Sequence, residues 1–145
     1  VVQSCRGYSP MAISHYKATW WPEHETVKEK PFYPGIKFDG RVWDREGLEG
    51  FYQPWRDLEK KGTEVHCGEF GCYTETPQSV ALAWLGDLMG LWKQWGWGYS
   101  MWNFEGNFGI IGHGRKGAHI ENVMGYDVDR DMLDLMMNNR VTDSY

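Results

Sequence analysis

Short apolar strands that alternate with amphipathic helices constrain the fold of this 145-residue chain more than any other feature. Strand-like runs occur at residues 1–5, 63–67 and 98–104, and helical periodicity begins after Asp44 and again after Thr76. Strands that alternate with helices are typical of parallel sheets with right-handed crossovers. The sequence therefore predicts an α/β fold with a parallel sheet, and one domain over the whole chain.

Capping residues predict where the helices begin. Asp44 is a typical N-cap for the first helix, in which Pro54 predicts a kink or a break. Thr76 followed by Pro77 predicts the start of a second helix, with a cap residue and then proline at the first helical position. A final helix is predicted over residues 129–138.

Two features indicate that this unit is unusual for a complete domain. Residues 11–43 contain three prolines and little periodicity, so they are predicted to form a long loop, which in compact domains is usually functional or poorly ordered. Three parallel strands would leave the first and the last as open edges, which native sheets normally protect. We therefore expect either a fragment of a larger barrel or a sheet whose missing strands come from another copy or chain.

Charge and composition exclude some functions. The net charge of -5 and the pI near 5.5 argue against nucleic acid as a partner. No apolar run approaches the roughly 18–20 residues that span a bilayer, so no membrane partner is expected, and no signal-peptide pattern opens the chain. Because the sequence begins without Met, a mature or truncated piece is expected, and both a secreted and a cytoplasmic location stay open.

The cysteines and histidines do not predict a metal or another cofactor. Three cysteines cannot form a fully paired disulfide framework, and their spacing lacks the second pair typical of zinc sites, so buried free thiols are expected for Cys5, Cys67 and Cys72. The histidines at positions 15, 66 and 113 are scattered without ligand spacing and are interpreted as hydrogen-bonding or surface residues.

The candidate catalytic residue is Glu69, in the segment Gly68-Glu69-Phe70-Gly71 directly after the strand at 63–67. Glycines allow backbone and ligand to approach closely. A carboxylate at the mouth of a strand is where a barrel or an open sheet keeps a catalytic group. The alternative is a structural carboxylate in a tight turn, and these residues alone leave both interpretations open.

Three motifs in order resemble the C-terminal part of the catalytic domain of glycoside hydrolase family 5, the cellulase-like retaining glycosidases. Tyr8-Ser9-Pro10, with Ser14-His15-Tyr16 downstream, looks like the segment after strand six of that family. Gly68-Glu69-Phe70-Gly71 looks like the motif after strand seven. The run that looks like strand eight is Ser100-Met101-Trp102-Asn103-Phe104-Glu105-Gly106-Asn107-Phe108-Gly109-Ile110. The resemblance implies a partial (β/α)8 TIM barrel, a half-barrel-like fragment of roughly its last three βα units.

The resemblance also implies roles for individual residues. Glu69 would be the nucleophile, Tyr8 would donate a hydrogen bond to it, and Trp102 would stack beneath the sugar ring at the cleavage subsite. Further substrate contacts are expected from four residues in or near the motifs and the long loop: Glu105, Arg6, Trp20 and Trp43. The alternative for Glu105 is a turn cap, and the alternative for the two tryptophans is packing. Arg6 stands where the family usually has His; a guanidinium favours the ionised form of a nearby carboxylate but cannot exchange protons as imidazole can.

A second carboxyl group is the largest departure from the family pattern. Retaining hydrolysis needs two carboxyl groups about 5–5.5 Å apart, and the Asn-Glu pair that carries the family's acid/base does not occur in this chain. Glu64 lies five residues before Glu69, about 16 Å along the strand at about 3.3 Å per residue, and the odd spacing predicts that it points to the opposite face. We therefore expect this chain alone to be weakly active or inactive.

Three functions are compatible with these features. The first is a retaining glycoside hydrolase of the cellulose or β-glucan type, whose partners are a polysaccharide or oligosaccharide and either a second copy or a complementary barrel half. The alternative is a non-catalytic carbohydrate-binding or self-associating half-barrel. A third, an unrelated α/β enzyme with Cys67 or Cys72 as nucleophile, has no evident base at fixed spacing and is disfavoured.

Overall fold

A computed structural model describes residues 1–142. In chain order the elements are β1 (Val2–Gly7), α1 (Met11–Ser14), a 3-10 helix (Pro22–Thr26), β2 (Ile36–Phe38), β3 (Arg41–Trp43), α2 (Arg45–Glu59), β4 (Glu64–Phe70), α3 (Gln78–Trp95), β5 (Tyr99–Met101), β6 (Ile120–Val123), β7 (Tyr126–Asp129) and α4 (Arg130–Asn138).

The main sheet has three parallel strands in the order β1-β4-β5. Helix α2 connects β1 to β4 and α3 connects β4 to β5, so each crossover is helical as the alternation predicted. The α/β class and the parallel sheet are confirmed, and the sheet does not close into a barrel. Within the described residues, β1 and β5 are its two edges.

A β-bulge changes which face of the sheet carries Glu69. Cys5 lies opposite Cys67 in the ladder, but the next residue, Arg6, lies opposite Glu69, so Gly68 is the extra residue on β4. Glu69 therefore points to the same face as Arg6, away from the buried Cys67 and Phe70 on the other face. A side chain at Gly68 would run into the Ser4 hydroxyl, so only glycine fits the bulge without displacing its neighbour.

One face of the sheet is covered by α2 and α3, and the core lies there. Most of the tryptophans serve this packing: Trp43, Trp84, Trp92 and Trp97 are buried in the core, and Trp55 and Trp95 pack against it. Phe70 packs edge-on against Trp92 at 4.9 Å between ring centroids, and Gly7 leaves room for the same indole, because a Cβ there would lie 2.6 Å from it. The opposite face of the sheet carries the exposed side chains of β1, including Val2 and Arg6.

Of the two predicted caps, Asp44 is confirmed and Thr76 is not. Asp44 accepts a hydrogen bond from the Gly47 N–H at 2.8 Å and caps α2, which runs through Pro54 as one continuous helix. Asp129 likewise caps α4 through the Met132 N–H. The prediction for Thr76 was wrong: its hydroxyl donates to the Ile13 carbonyl at 2.5 Å, and α3 begins without a side-chain cap.

The segment 11–43 is more structured than predicted. It contains α1, the 3-10 helix and a hairpin in which β2 and β3 pair antiparallel, with Ile36 opposite Trp43. Each element is only three to five residues long, too short for a detectable period. The strand predicted at 98–104 is also shorter, because the backbone leaves the sheet after Met101.

A second hairpin, β6–β7, precedes α4 and was not predicted. Isolated bridges join Glu105 to Ile111 and Ile111 to Val128, so the segment after β5 and this hairpin form one small ladder. The helices of residues 1–142 are too short or too polar to cross a lipid bilayer.

Candidate active site

Tyr8 and Glu69 form a short hydrogen bond at the C-terminal end of the parallel strands. The Tyr8 hydroxyl donates to Glu69 Oε1 at 2.6 Å. Glu69 is the next-to-last residue of β4, and Tyr8 directly follows β1, so two neighbouring strand ends bring them together across 61 residues of sequence. This edge of a parallel α/β sheet is where such folds place their sites.

Arg6 lies on the other side of the Glu69 carboxylate. Its Nε is 3.8 Å from Glu69 Oε2, while its guanidinium also donates to Ser4 Oγ at 3.0 Å. Arg6 and Tyr8 are two residues apart and share a face, so one strand end places a cation and a hydroxyl at the two oxygens of one carboxylate. Arg6 is substantially exposed, so solvent weakens this ion pair.

Tyr8 is held as a proton donor. Burial, the hydrogen bond to Glu69 and the charge of that carboxylate together raise the pKa of Tyr8 well above its usual value. Its backbone is fixed by Ser14, whose hydroxyl donates to the Tyr8 carbonyl at 2.5 Å and contacts His15 Nδ1 at 2.8 Å. The phenol thus stays protonated throughout the neutral range.

Trp102 lies beside this dyad because β5 pairs with β4. The Trp102 N–H donates to the carbonyl of Phe70, the residue after Glu69, at 2.7 Å. A Cβ at Gly71 would collide with the Trp102 carbonyl, so this close approach requires glycine. The Trp102 side chain itself is 54% exposed and offers an open aromatic face on the Glu69 side of the sheet.

An aromatic cluster extends the site from Tyr8 toward the segment after α1. The ring of His15 contacts Tyr8 at 5.2 Å and Phe108 at 5.4 Å, and the exposed Trp20 packs edge-on against Tyr73 at 4.8 Å. Burial lowers the pKa of His15, so the imidazole is neutral at pH 7. Phe108 and Tyr73 were not singled out by sequence; only their proximity to the motifs could have indicated them.

Two interpretations of individual residues were wrong. Trp43 does not line the site: it is 3% exposed, packs against Phe51 and donates its indole N–H to the Phe38 carbonyl at 2.9 Å. Glu64 does not point away from Glu69, because the bulge at Gly68 cancels the odd spacing and leaves both carboxylates on one face. Their separation along the strand still excludes Glu64 as a partner within one chain.

Glu105 is exposed, and its backbone carbonyl accepts a hydrogen bond from the Asn103 side chain at 2.7 Å. Its side chain makes no hydrogen bond or ion pair among those described for residues 1–142. The carboxylate of Glu105 is therefore free to contact a ligand, but it is not held in one orientation as that of Glu69 is.

A buried polar network lies behind the site and was missed by sequence reasoning. His113 Nε2 contacts Asp129 Oδ2 at 3.0 Å, and Gln78 donates to the same oxygen at 2.7 Å while accepting from Arg115 at 3.0 Å. The Arg115 N–H donates to His113 Nδ1, so the proton of a neutral imidazole is on Nε2. Arg115 also donates to the carbonyl of Cys72, three residues after Glu69.

All three cysteines are buried and free, as predicted. Burial raises the pKa of Cys72, and the hydrogen bond with Cys5 together with burial raises that of Cys67. Buried thiols held in the protonated form are poor nucleophiles, which argues against a cysteine enzyme.

Solved structures similar to this chain are glycoside hydrolases. One described as a glycoside hydrolase is 50% identical, with a TM-score of 0.93, and the match covers 97% of this chain and 42% of that one. Cel5A from Thermotoga maritima matches in its complex with cellobiose (17% identity, 93% and 39% of the two chains, TM-score 0.70) and with mannotriose (19%, 92% and 38%, 0.69). No family model and no curated protein matches the sequence.

The chain thus spans about 40% of the length of the structures that it matches. The resemblance drawn from the three motifs is confirmed at the level of fold, as a part of a glycoside hydrolase barrel domain.

Proposed function

We propose that this chain, which has the fold of part of a glycoside hydrolase domain, is its C-terminal portion and carries the nucleophile of a retaining enzyme. The substrate would be a β-linked glucan or a related polysaccharide, in keeping with the cellobiose and mannotriose bound by the similar Cel5A structures. All 145 residues would belong to one catalytic domain.

One observation carries this proposal: the 2.6 Å hydrogen bond from Tyr8 to Glu69 at the open end of the sheet. A tyrosine that remains protonated donates to one carboxylate oxygen and orients the other. A carboxylate that served only to cap a turn would bond to local backbone N–H groups instead. No such bond to the Glu69 side chain is present among residues 1–142.

The proposed chemistry assigns one task to each group. A Glu69 oxygen attacks the anomeric carbon, a C–O bond forms to the enzyme, and the glycosidic C–O bond breaks. Trp102 supports the sugar ring from its open face, Arg6 offsets carboxylate charge, and Trp20 and Glu105 contact neighbouring sugars. Water then releases the sugar from Glu69 with inversion at the same carbon.

Protonation of the leaving oxygen requires a second carboxyl group, which we propose lies outside residues 1–145. The chain alone would then cleave only substrates with leaving groups that need no acid assistance.

The alternative function, a carbohydrate-binding or self-associating half-barrel without catalysis, is favoured by a different observation. In the part of the chain that the structure describes, one face of the sheet is uncovered and both edge strands pair on one side only, which favours a partner.

Covalent trapping tests the proposal directly. A 2,4-dinitrophenyl 2-deoxy-2-fluoro-β-cellobioside has a leaving group that departs unprotonated and a fluorine that slows hydrolysis of the glycosyl-enzyme. We expect the intact mass to rise by one fluorocellobiosyl group and peptide mapping to place it on Glu69. Glu69→Gln should abolish labelling.

Glu64→Gln is the matched control because it removes a carboxylate from the same strand and the same face. It should label like the wild type. Absence of labelling in the wild type, or labelling at another residue, would refute Glu69 as nucleophile. Binding of cello-oligosaccharides without labelling would favour the non-catalytic alternative.

A further inference from the structure

A cavity of about 950 Å³ lies at the N-terminal end of α3, here called the α3 cavity. Residues 74–79 and the turn at 114–117 form much of its wall. Its charged lining residues are four cations and one carboxylate: Lys17, Lys30, Arg115, Lys116 and Glu75. The protein as a whole has a net charge of -5, so this cavity concentrates the opposite sign. A concave site lined by one sign of charge attracts ligands of the other sign.

The single carboxylate of the lining is already engaged. Glu75 Oε2 lies 3.5 Å from Lys17 Nζ, in a pair that is substantially exposed. Lys30 and Lys116 are exposed and have no ion pair among those described for residues 1–142. The α3 cavity therefore keeps an excess of positive charge after its one internal pair is counted.

Arg115 is the buried cation of this cavity. It is 5% exposed, and its guanidinium donates to Gln78 Oε1 at 3.0 Å and to the Cys72 carbonyl at 2.8 Å, which are both neutral groups. Asp129 is reached only through the Gln78 side chain. Within residues 1–142, Arg115 Nε has no hydrogen-bond partner and no carboxylate forms an ion pair with the guanidinium. A buried charge without a counter-ion is costly, so an anion beside Arg115 would stabilise the fold.

Helix α3 adds backbone donors to the same place. The helix has 18 residues, begins after Pro77 without a side-chain cap, and has no acidic residue in its first turn. The first N–H groups of a helix have no partner within the helix and carry a partial positive charge. Gln78, the first residue of α3, accepts from Arg115, and a Cβ at Gly117 would lie 4.0 Å from the Gln78 Cβ. The helix end and the turn at 114–117 therefore border one space.

We propose that the α3 cavity binds a small oxyanion. Its oxygens would accept hydrogen bonds from the first N–H groups of α3 and from the Arg115 guanidinium, while Lys30 and Lys116 balance its charge. Helix N-termini and guanidinium groups are the donors that proteins use for such anions. Two sources share this chemistry, free phosphate and the carboxylate of an acidic sugar. The proposal does not depend on a nucleophile at Glu69, because Tyr8, Glu69 and Trp102 do not line this cavity.

Calorimetric titration of the full chain tests the proposal. The ligands are inorganic phosphate and, separately, glucuronate, at a constant ionic strength set with sodium chloride, and glucose is the neutral comparison. We expect heat of binding from at least one of the two anions and none from glucose. Tighter binding of phosphate would identify the free ion as the ligand, and tighter binding of glucuronate would identify an acidic sugar. Absence of binding by both anions would overturn the proposal.

Two lysines of the cavity can be neutralised without touching the buried hydrogen bonds. Lys30→Gln combined with Lys116→Gln should weaken binding of the anion about tenfold, which corresponds to about 1.4 kcal/mol. Lys37→Gln combined with Lys61→Gln is the matched control, since it removes the same charge at two exposed lysines that do not line the cavity. The control should bind like the wild type. Equal weakening in both variants would show a response to overall charge alone and would overturn the site.

Glu75→Gln gives a test of opposite sign. It removes the only carboxylate among the described lining residues and releases Lys17 from its pair. Binding of the anion should become about threefold tighter, on the scale of an exposed charge interaction. Damage to the fold cannot tighten binding, whereas substitution of Arg115 would also break its hydrogen bonds to Gln78 and Cys72. Unchanged or weaker binding in Glu75→Gln would contradict an anion held in this cavity.

Discussion

At the scale of single residues, the geometry around one carboxylate is the most specific feature of the molecule. Glu69 could be predicted as a candidate because two glycines frame it and a strand precedes it. Its orientation could not, because a bulge in a parallel ladder leaves no pattern in the sequence apart from a glycine. Trp43 shows the opposite failure: an indole in a loop-like segment looks available, while packing against Phe51 buries it.

The hydrogen bond from Tyr8 makes a prediction at this scale. Tyr8→Phe keeps the ring that packs against His15 but removes the hydroxyl that orients Glu69. We expect the rate of Glu69 labelling by the fluorocellobioside to fall about tenfold or more, because a lost orienting hydrogen bond costs on the order of 1.4 kcal/mol at the transition state. Labelling rates are measured by intact mass against time.

Tyr73→Phe provides the comparison for that experiment. Tyr73 belongs to the same aromatic cluster and stacks with Phe108, yet its hydroxyl makes no hydrogen bond described in residues 1–142. Its labelling rate should match the wild type. Equal rates for Tyr8→Phe and the wild type would show that Tyr8 does not position the nucleophile.

At the scale of secondary structure, caps and the order of elements could be predicted because they depend on local chemistry. Asp44 caps a helix as predicted, and Asp129 caps the helix that was predicted over residues 129–138. Thr76 does not, because α3 begins one residue later than predicted and Pro77 occupies the N-cap position, while the Thr76 hydroxyl donates to the Ile13 carbonyl. The β6–β7 hairpin was missed because its turn is Met124-Gly125, in place of the usual Asn-Gly or Asp-Gly that announces a hairpin.

Gly71 makes a prediction about the contact between the end of β4 and the segment after β5. Gly71→Ala puts a methyl group against the Trp102 carbonyl, so the backbone of one segment must move. We expect a loss of about 1–3 kcal/mol in the free energy of unfolding, as for overpacked sites, together with weaker oligosaccharide binding at Trp102. Urea unfolding and titration with cellotetraose measure the two effects.

Gly98→Ala is the control: it adds the same methyl group and restricts the backbone in the same way, at a position between α3 and β5. A Cβ there meets nothing within 4 Å and its φ is not in the left-handed region, so Gly98→Ala should leave both quantities unchanged. If Gly71→Ala behaves the same way, the close approach of the two segments does not depend on glycine.

The buried network at Asp129 makes a prediction about stability and pH. Burial by itself would raise the pKa of Asp129, but hydrogen bonds from His113, Met132 N–H and Gln78 outweigh it and lower that pKa below its ordinary value. A folded-state pKa below the unfolded value means that the carboxylate stabilises the fold above about pH 4. This stabilisation is lost as the pH falls through the folded pKa.

Asp129→Asn should therefore destabilise the protein by about 1–3 kcal/mol at pH 7, since an amide in place of the buried carboxylate cannot accept all the hydrogen bonds from Gln78, His113 and the Met132 N–H. The difference from the wild type should shrink as urea unfolding is repeated below about pH 4. Asp134→Asn, which breaks an exposed pair with Arg130, should change little. A difference at Asp129 that is constant with pH would contradict an ionised role.

At the scale of the whole molecule, the parallel sheet is covered by helices on one face only. Its helix-covered face forms a core around Trp84 and Trp92, whereas the face that carries Glu69 is open and, within residues 1–142, β1 and β5 each pair on one side only. The order of strands in the sequence predicted this arrangement, because three βα units cannot close a barrel. The source of the missing strands could not be predicted, since edge pairing by backbone groups leaves little trace in the side chains.

The free edge of β1 makes the last prediction. Backbone N–H and C=O groups along Val2–Gly7 that pair only on one side offer a template for another strand, so we expect the chain of 16.9 kDa to associate in solution, with a mass of at least two copies. Val2→Lys places a charge on the exposed end of that edge and should shift the mass measured by light scattering toward the monomer. Val42→Lys makes the same substitution at a similarly exposed position of the β2–β3 hairpin and should not. A wild-type chain that stays monomeric at every concentration would show that the edge of β1 does not pair with a second copy of this chain. It would then leave the complementary part of a barrel as the partner that this sheet requires.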